Sequence, residues 1–255
     1  MPHELEAPNG LAADWDRLYL ARGADEVVAH RPLFTGDVFK SVRVRPPRGE
    51  PKTKNVMVIQ HPCAMRADGV ELTESLLVAE ARRWTVLVPE KWNTNGKIMP
   101  LPSLLADSTS SKCNQAAVFD RTYHAHPEDL GDRIACLSLR GVNLLLQRWV
   151  YHSSRVIVPS SDFNSVVSPA YEEADIVEEW STTATEAGRT TREARYDANT
   201  WLDVEDGGRT RRKALEDPQQ RSTIRRHARC AAATWRAPAM IAGPDDSAAH
   251  ARTAP

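Results

Sequence analysis

"NVMVIQHPCAMR", residues 55–66, is the stretch on which the fold turns. Val56, Met57, Val58 and Ile59 form an unbroken apolar run, and such a run without polar alternation is what a strand buried on both faces requires. His61, Pro62 and Cys63 follow at once. Proline has no N–H to give to a ladder, so pairing stops there. On an extended strand end, positions 61 and 63 point to the same side, which predicts an imidazole beside a thiol at the rim of a sheet.

Upstream, "RPLFTGDVFKSVRVRPP" (31–47) has a period of two among β-branched residues, and Gly36-Asp37 marks the turn into that strand. Downstream, "ESLLVAEARRW" (74–84) fits a strand or a helix, and "TVLVPE" (85–90) reads as a better strand. Asn95-Gly96 predicts a hairpin turn, Pro100 and Pro102 flank an extended edge at Leu101, and one β-like run surrounds Val118 and Phe119. The next strong signal is helical. Val142, Leu145, Leu146, Trp149 and Val150 share one face, and Ser138 supplies the oxygen that caps the first turn. Burying that stripe is worth about 1.5–3 kcal/mol per side chain before entropy, against roughly 1 kcal/mol lost at Gly141 relative to alanine.

Helical patterns recur over 171–187, 190–204 and 219–236, the first stopped by Gly188. A short helical pattern over 12–23, with Trp15, Leu18 and Tyr19 on one face, predicts an N-terminal cap within 1–30. Residues 237–255 are small, Pro-rich and aperiodic, which predicts disorder. The fold class expected is α+β: a small antiparallel SH3-like β-barrel with a packed helix over 31–160, followed by a helical C-terminal region over 171–236.

Lys+Arg 33 against Asp+Glu 34 gives no global polyelectrolyte character, so any charge argument is local. Four cysteines, at 63, 113, 136 and 230, contain no C-x-x-C pair, and no segment reaches the roughly 18 apolar residues of a membrane span. The N-terminus lacks the basic-then-apolar run of a signal peptide. These features predict a soluble, cytoplasmic chain with no membrane partner.

The segments "TGDVFKSVRV", "VMVIQHPC", "PLPSLL" and "RIACLS" resemble a group of uncharacterised bacterial proteins. In that group a G-D-[VI]-[FY] strand leads to an apolar strand ending in histidine or serine and a cysteine, and an R-[IV]-A-x-L-S segment enters a helix. More distantly, the G-D-V start resembles the SH3-like barrel of MazF/PemK-type toxin ribonucleases. That family enters its second strand through Arg-Pro, whereas Lys54 and Asn55 stand here, so no catalytic arginine carries over to that place.

Three sites follow from the residues. His61 and Cys63 are the candidate catalytic pair, since an imidazole near a thiol activates a cysteine nucleophile; the same two groups are also half of a zinc site, and the bland alternative is a buried thiol beside a turn histidine. Cys113, His124, His126 and Cys136 have gaps that fit no zinc signature, so neither a metal nor a cofactor is assigned. Arg66, Arg140, Arg148, His152 and Arg155 line a phosphate-binding face if the 138–152 helix crosses beside the loop after Cys63.

The sharpest charge feature is 209–229, with eight Arg/Lys against two acids, while 171–180 carries five acids and no base. Arg211, Arg212, Lys213, Arg221, Arg225, Arg226 and Arg229 either hold a nucleic-acid backbone or dock on the acidic helix. Three functions remain open: a non-catalytic module that binds nucleic acid or a protein partner through this basic segment and the barrel loops; a toxin-like ribonuclease or hydrolase around His61 and Cys63; and an adaptor whose C-terminal helices form an interface.

Overall fold

The computed structural model describes residues 4–7, 17–23, 27, 29–46, 48–66, 71–85, 89–105 and 115–236. Seven strands form one antiparallel sheet: β1 (Tyr19–Arg22), β2 (Val38–Val44), β3 (Lys52–Val58), β4 (Leu76–Arg83), β5 (Ile98–Leu101), β6 (Gln115–Ala125) and β7 (Asp132–Leu137). Their order across the sheet is β1-β7-β2-β3-β4-β6-β5. One-turn helices α1 (Pro62–Met65) and α2 (Pro89–Trp92) interrupt the connections. After β7 come α3 (Leu139–Ser154), α4 (Ser160–Glu186), α5 (Thr191–Leu202), α6 (Arg211–Ala214) and α7 (Pro218–Ala233), with a small ribbon of β8 (Glu205–Asp206) and β9 (Arg209–Thr210) before α6.

The SH3-like barrel expected from the sequence does not form. β1 and β5 are the two edges of an open sheet and share no ladder. The sheet curls until the Tyr19 hydroxyl on β1 donates to the Pro102 carbonyl, just past β5, at 2.9 Å. Helix α3 covers the remaining opening: it packs on both β5 and β7, and Val142, Leu145 and Leu146 share a buried cluster with Tyr19, Leu137, Met99 and Leu101. Side chains of a helix therefore do what a closing ladder would do in a barrel.

The apolar run 56–59 behaves as its composition requires. Val56, Met57 and Val58 are all fully buried, Met57 on the α3 side and its two neighbours in a second cluster with Phe39, Val42, Leu76 and Val78 on the opposite face. Phe39 and Val42 reach the same cluster although their spacing is odd. A bulge between them, with Ser41 at φ 59°, absorbs the extra residue. Gly36 is held at φ 88° with Leu137 Cδ1 only 2.8 Å from where a Cβ would stand, so the turn into β2 needs glycine on both counts.

Several boundaries differ from the sequence pattern. Tyr19–Arg22, expected to end a helix, is a strand on β7, while 11–16 lie outside the described residues. Of "TVLVPE", residues 86–88 lie outside the described residues and Pro89 opens a helical turn. "ESLLVAEARRW" resolves as strand β4, because both of its faces are covered. "RIACL" is strand β7, with Ser138 accepting from the Gly141 N–H at 3.2 Å to start α3 immediately afterwards. The tail over 237–255 lies outside the described residues.

Helix α4 runs 27 residues, about 40 Å, and begins well before the stretch read as helical. Val167, Tyr171 and Ala174 belong to the sheet-side core, whereas Ile176, Val177, Trp180 and Ala184 belong to a second core with Ala194, Ala198, Leu202, Ile224 and Ala228. One helix is shared by both cores.

Gly141 gives a test of this packing. A Cβ there would stand well inside van der Waals contact of the Leu18 carbonyl oxygen, backbone that cannot swing aside. Gly141→Ala, a change that in an open helix stabilises by about 1 kcal/mol, is expected to destabilise by about 1–3 kcal/mol, read as a lowered urea midpoint at unchanged m-value.

Candidate functional site

The basic segment is spent inside the molecule. Arg225 reaches Asp175 at 2.7 Å and Glu172 at 3.2 Å, and Arg229 forms a two-pronged pair with Glu179 at 2.7 and 3.0 Å. Arg212 binds Glu173 and Asp203, Arg211 stacks on Trp201 at 4.3 Å, and Lys213 pairs with Glu216 at 2.7 Å. Arg221 donates to the Leu215 carbonyl at 2.8 Å. Of the seven residues, Arg226 alone is exposed with no partner among the described residues. The acidic edge of α4 takes three of these charges, those of Arg212, Arg225 and Arg229.

The contact between His61 and Cys63 runs from ring to backbone. His61 caps α1: its Nδ1 accepts from the Cys63 backbone N–H at 3.3 Å, and burial lowers its pKa, favouring the neutral ring. The Cys63 thiol is exposed. The chain turns helical at Pro62 in place of the extended strand end that the sequence suggested. Among the described residues no group of three or more His, Cys, Asp or Glu could hold a metal ion. His124 bonds Ser75 at 3.0 Å, Cys136 is buried, and Cys113 lies outside the described residues.

The five residues read as a phosphate face are not brought together either. Arg148 is wholly buried, donating to the Asn95, Trp92 and Glu6 carbonyls at 2.8–3.0 Å, and burial pushes its pKa down to about 10. His152 stacks on Trp149 and lies 3.5 Å from Asp120, and Arg155 sits over Tyr151. Arg66 stands apart from them.

Arg66 lines a cleft of about 1020 Å³ between the sheet and the helical region. The sheet side supplies Arg66, which ends α1, and Arg133 of β7; helix α5 supplies Arg192 and Arg195. Against these four arginines stand the carboxylates of Glu71 and Glu173, and Glu173 is already bound by Arg212. The guanidinium groups are fixed by carbonyl oxygens. Arg66 donates to Leu33 at 3.1 Å, and the single carbonyl of Arg31 accepts from Arg133 at 2.8 Å and from Arg195 at 3.2 Å. Two cations share one oxygen.

Among the described residues, Arg133 is the cleft arginine with a carboxylate at ion-pair distance, that of Asp37 at 3.4 Å. Asp37 is buried beneath the cleft and accepts from the Phe34 N–H at 2.9 Å; burial raises its pKa against the pull of Arg133. Arg66 and Arg195 have no ion-pair partner among the described residues. Burial lowers the pKa of both; at Arg66 the charges of Glu173 and Asp37 pull partly the other way, whereas in Arg195 the charges of Arg133 and Arg66 push the same way as burial. Such a cluster is relieved by an anion.

The arginine contribution of α5 was missed from the sequence, where only its apolar stripe was read. Arg192, Arg195, Tyr196 and Asn199 all line the cleft and fall at i, i+3, i+4 and i+7, a second stripe beside the buried Ala194, Ala198 and Leu202. A scan of protein-family models and a search of curated proteins find no match to the chain.

Two outcomes test this electrostatic layout. The Arg229 hydrogen bonds, with the charges of Arg225 and Arg229, hold the Glu179 carboxyl below its usual value. A depressed carboxylate contributes stability above its unfolded pKa, about 4.3, and loses it as pH falls through the folded value. Glu179→Gln is therefore expected to lower stability at neutral pH and to flatten the acid limb of the stability–pH curve, measured by chemical denaturation. A thiol reagent is expected to label Cys63 and Cys230 in the native protein. Cys136, buried and with its pKa pushed up to about 12, should react only after unfolding, as mass spectrometry of the labelled peptides would show.

Proposed function

We propose that the chain is a non-catalytic binding module that engages nucleic acid, and that the phosphate contacts are made by the arginine-lined cleft rather than by the basic helix. The observation that carries this reading is the pair Arg133 and Arg195 held on one carbonyl oxygen, with Arg66 lining the same cleft and no carboxylate in direct ion-pair contact with Arg66 or Arg195 among the described residues. Positive charge fixed in a cleft without internal compensation binds phosphate by releasing its counterions. The arginines of 209–229 support the site indirectly, by bracing α7 and α6 against α4 so that α5 keeps its place.

No described helix is long and apolar enough to cross a membrane. A cytoplasmic setting accords with the free thiols of Cys63, Cys136 and Cys230.

Binding of a labelled oligonucleotide, followed by anisotropy across a salt series, tests the reading. Arg66→Gln and Arg195→Gln are each expected to weaken binding and to reduce the slope of log K against log salt by about 0.7–1. Arg229→Gln, which removes charge of the same sign from outside the cleft, should leave that slope unchanged. Equal loss in all three variants would return the contact to the basic helix, and no binding at low salt would end the proposal.

A further inference from the structure

We infer that the cleft takes an unpaired nucleotide, with its phosphate on Arg66, Arg133 and Arg195 and its base against the ring of Tyr196; this rests on the cleft being the nucleic-acid site.

Tyr196 carries the inference. Its side chain is 71% exposed, the highest value among the large apolar residues described, although it stands on a well-packed helix. It lies one turn from Arg192 and next to Arg195, so an aromatic ring is interleaved with guanidinium groups along one helical face. Every base has a π-face, and an exposed ring flanked by cations is the platform on which unpaired bases stack while the backbone follows the positive charge. A solvated ring of that size otherwise gains nothing by facing water.

The opposite wall fits the same ligand. Leu33, Phe34, Phe39, Pro127 and Leu130 present an apolar surface across from α5, with Arg133 at the floor and its guanidinium over the Phe39 ring at 5.7 Å. A duplex turns its bases inward on each other and offers a protein mainly its backbone and groove edges, so phosphate and base face cannot occupy floor and wall together. An unpaired nucleotide offers both groups at once. The cleft volume, about 1020 Å³, lies at the upper end of the roughly 300–1,000 Å³ range of pockets that enclose a small ligand. That is room for a free nucleotide or for a short run of a single strand.

The test uses the full chain and four probes: a labelled 12-nucleotide single strand, as RNA and as DNA, the duplex of the same sequence, adenosine monophosphate and inorganic phosphate. The single strand is expected to bind about tenfold or more tightly than the duplex, and the monophosphate to displace it at concentrations where phosphate does not. Tyr196→Ala should weaken the single strand by about tenfold, with Tyr196→Phe retaining most of the affinity and circular dichroism unchanged in both. A strand that binds far better than the monophosphate supports the inference; the reverse order would assign the site to free nucleotides and overturn the nucleic-acid reading on which the inference rests.

Equal affinity for strand and duplex, with Tyr196→Ala silent and Arg195→Gln weakened, would overturn the inference and leave the nucleic-acid reading standing. No affinity for any nucleic-acid probe at low salt would overturn both.

Discussion

The carboxylate edge of α4 is the constraint on which the arrangement of this molecule depends. Glu172, Glu173, Asp175, Glu178 and Glu179 lie along one helix, and arginines reach them from three directions. Arg31 comes from the segment before β2, Arg212 from α6, and Arg225 and Arg229 from α7. Arg31 is the most committed of these. It is buried over the Tyr171 ring, and Asp175 at 2.6 Å and Glu178 at 2.7 Å hold its pKa above the ordinary value despite the burial. A buried guanidinium of this kind is costly to leave without its partners, so the N-terminal segment is tied to α4 at one place.

That tie sets the cleft. The Arg31 side chain is held on α4, and its backbone carbonyl is the oxygen on which Arg133 and Arg195 converge. One residue thus joins the neutralised side of the protein to the unneutralised side. The partition of arginines follows from geometry rather than from number. Arg212 of α6 and Arg225 and Arg229 of α7 reach the acids of α4; those on α1, β7 and α5 border a cleft in which Asp37 is buried, Glu173 is already occupied and Glu71 is the remaining carboxylate of the lining.

The parts of this arrangement that were legible in the sequence are those set by local pattern. The apolar run at 56–59 announced a strand buried on both faces, and the stripe from Val142 to Val150 announced α3 with its Ser138 cap. The opposite charges of 171–180 and 209–229 were visible as a pair, and docking was one of the two outcomes weighed. That the sheet stays open was not legible, because it depends on β1 pairing with β7 across more than a hundred residues, and on α3 filling the place a closing ladder would take. The helical turn at Pro62–Met65 was hidden for a different reason. A proline at the first helical position and a proline ending a strand look alike until the backbone is known. The cleft arginines are scattered over 66, 133, 192 and 195, and only the α5 stripe at i, i+3, i+4 and i+7 left a trace that reading by helical period could have found.

Comparison with Arg148 shows why the cleft arginines are more than structural pins. Arg148 is likewise fixed by backbone carbonyls without a carboxylate, stacks on Trp92, and is depressed by burial. Charge-assisted bonds of this kind, about 1.5–3 kcal/mol each, offset much of the cost of desolvation, and a guanidinium stays protonated at neutral pH even when so displaced. At Arg148 the surroundings are solid protein, the three carbonyls use the outward donors, and the residue is a clamp joining α3 to the segment before β5. Arg66 and Arg195 use one donor nitrogen each on carbonyls and then border open volume. The same side chain held by the same kind of acceptor is a closed structural joint where packing surrounds it and a standing positive potential where a cavity does, and the cavity is what turns the second arrangement into a site.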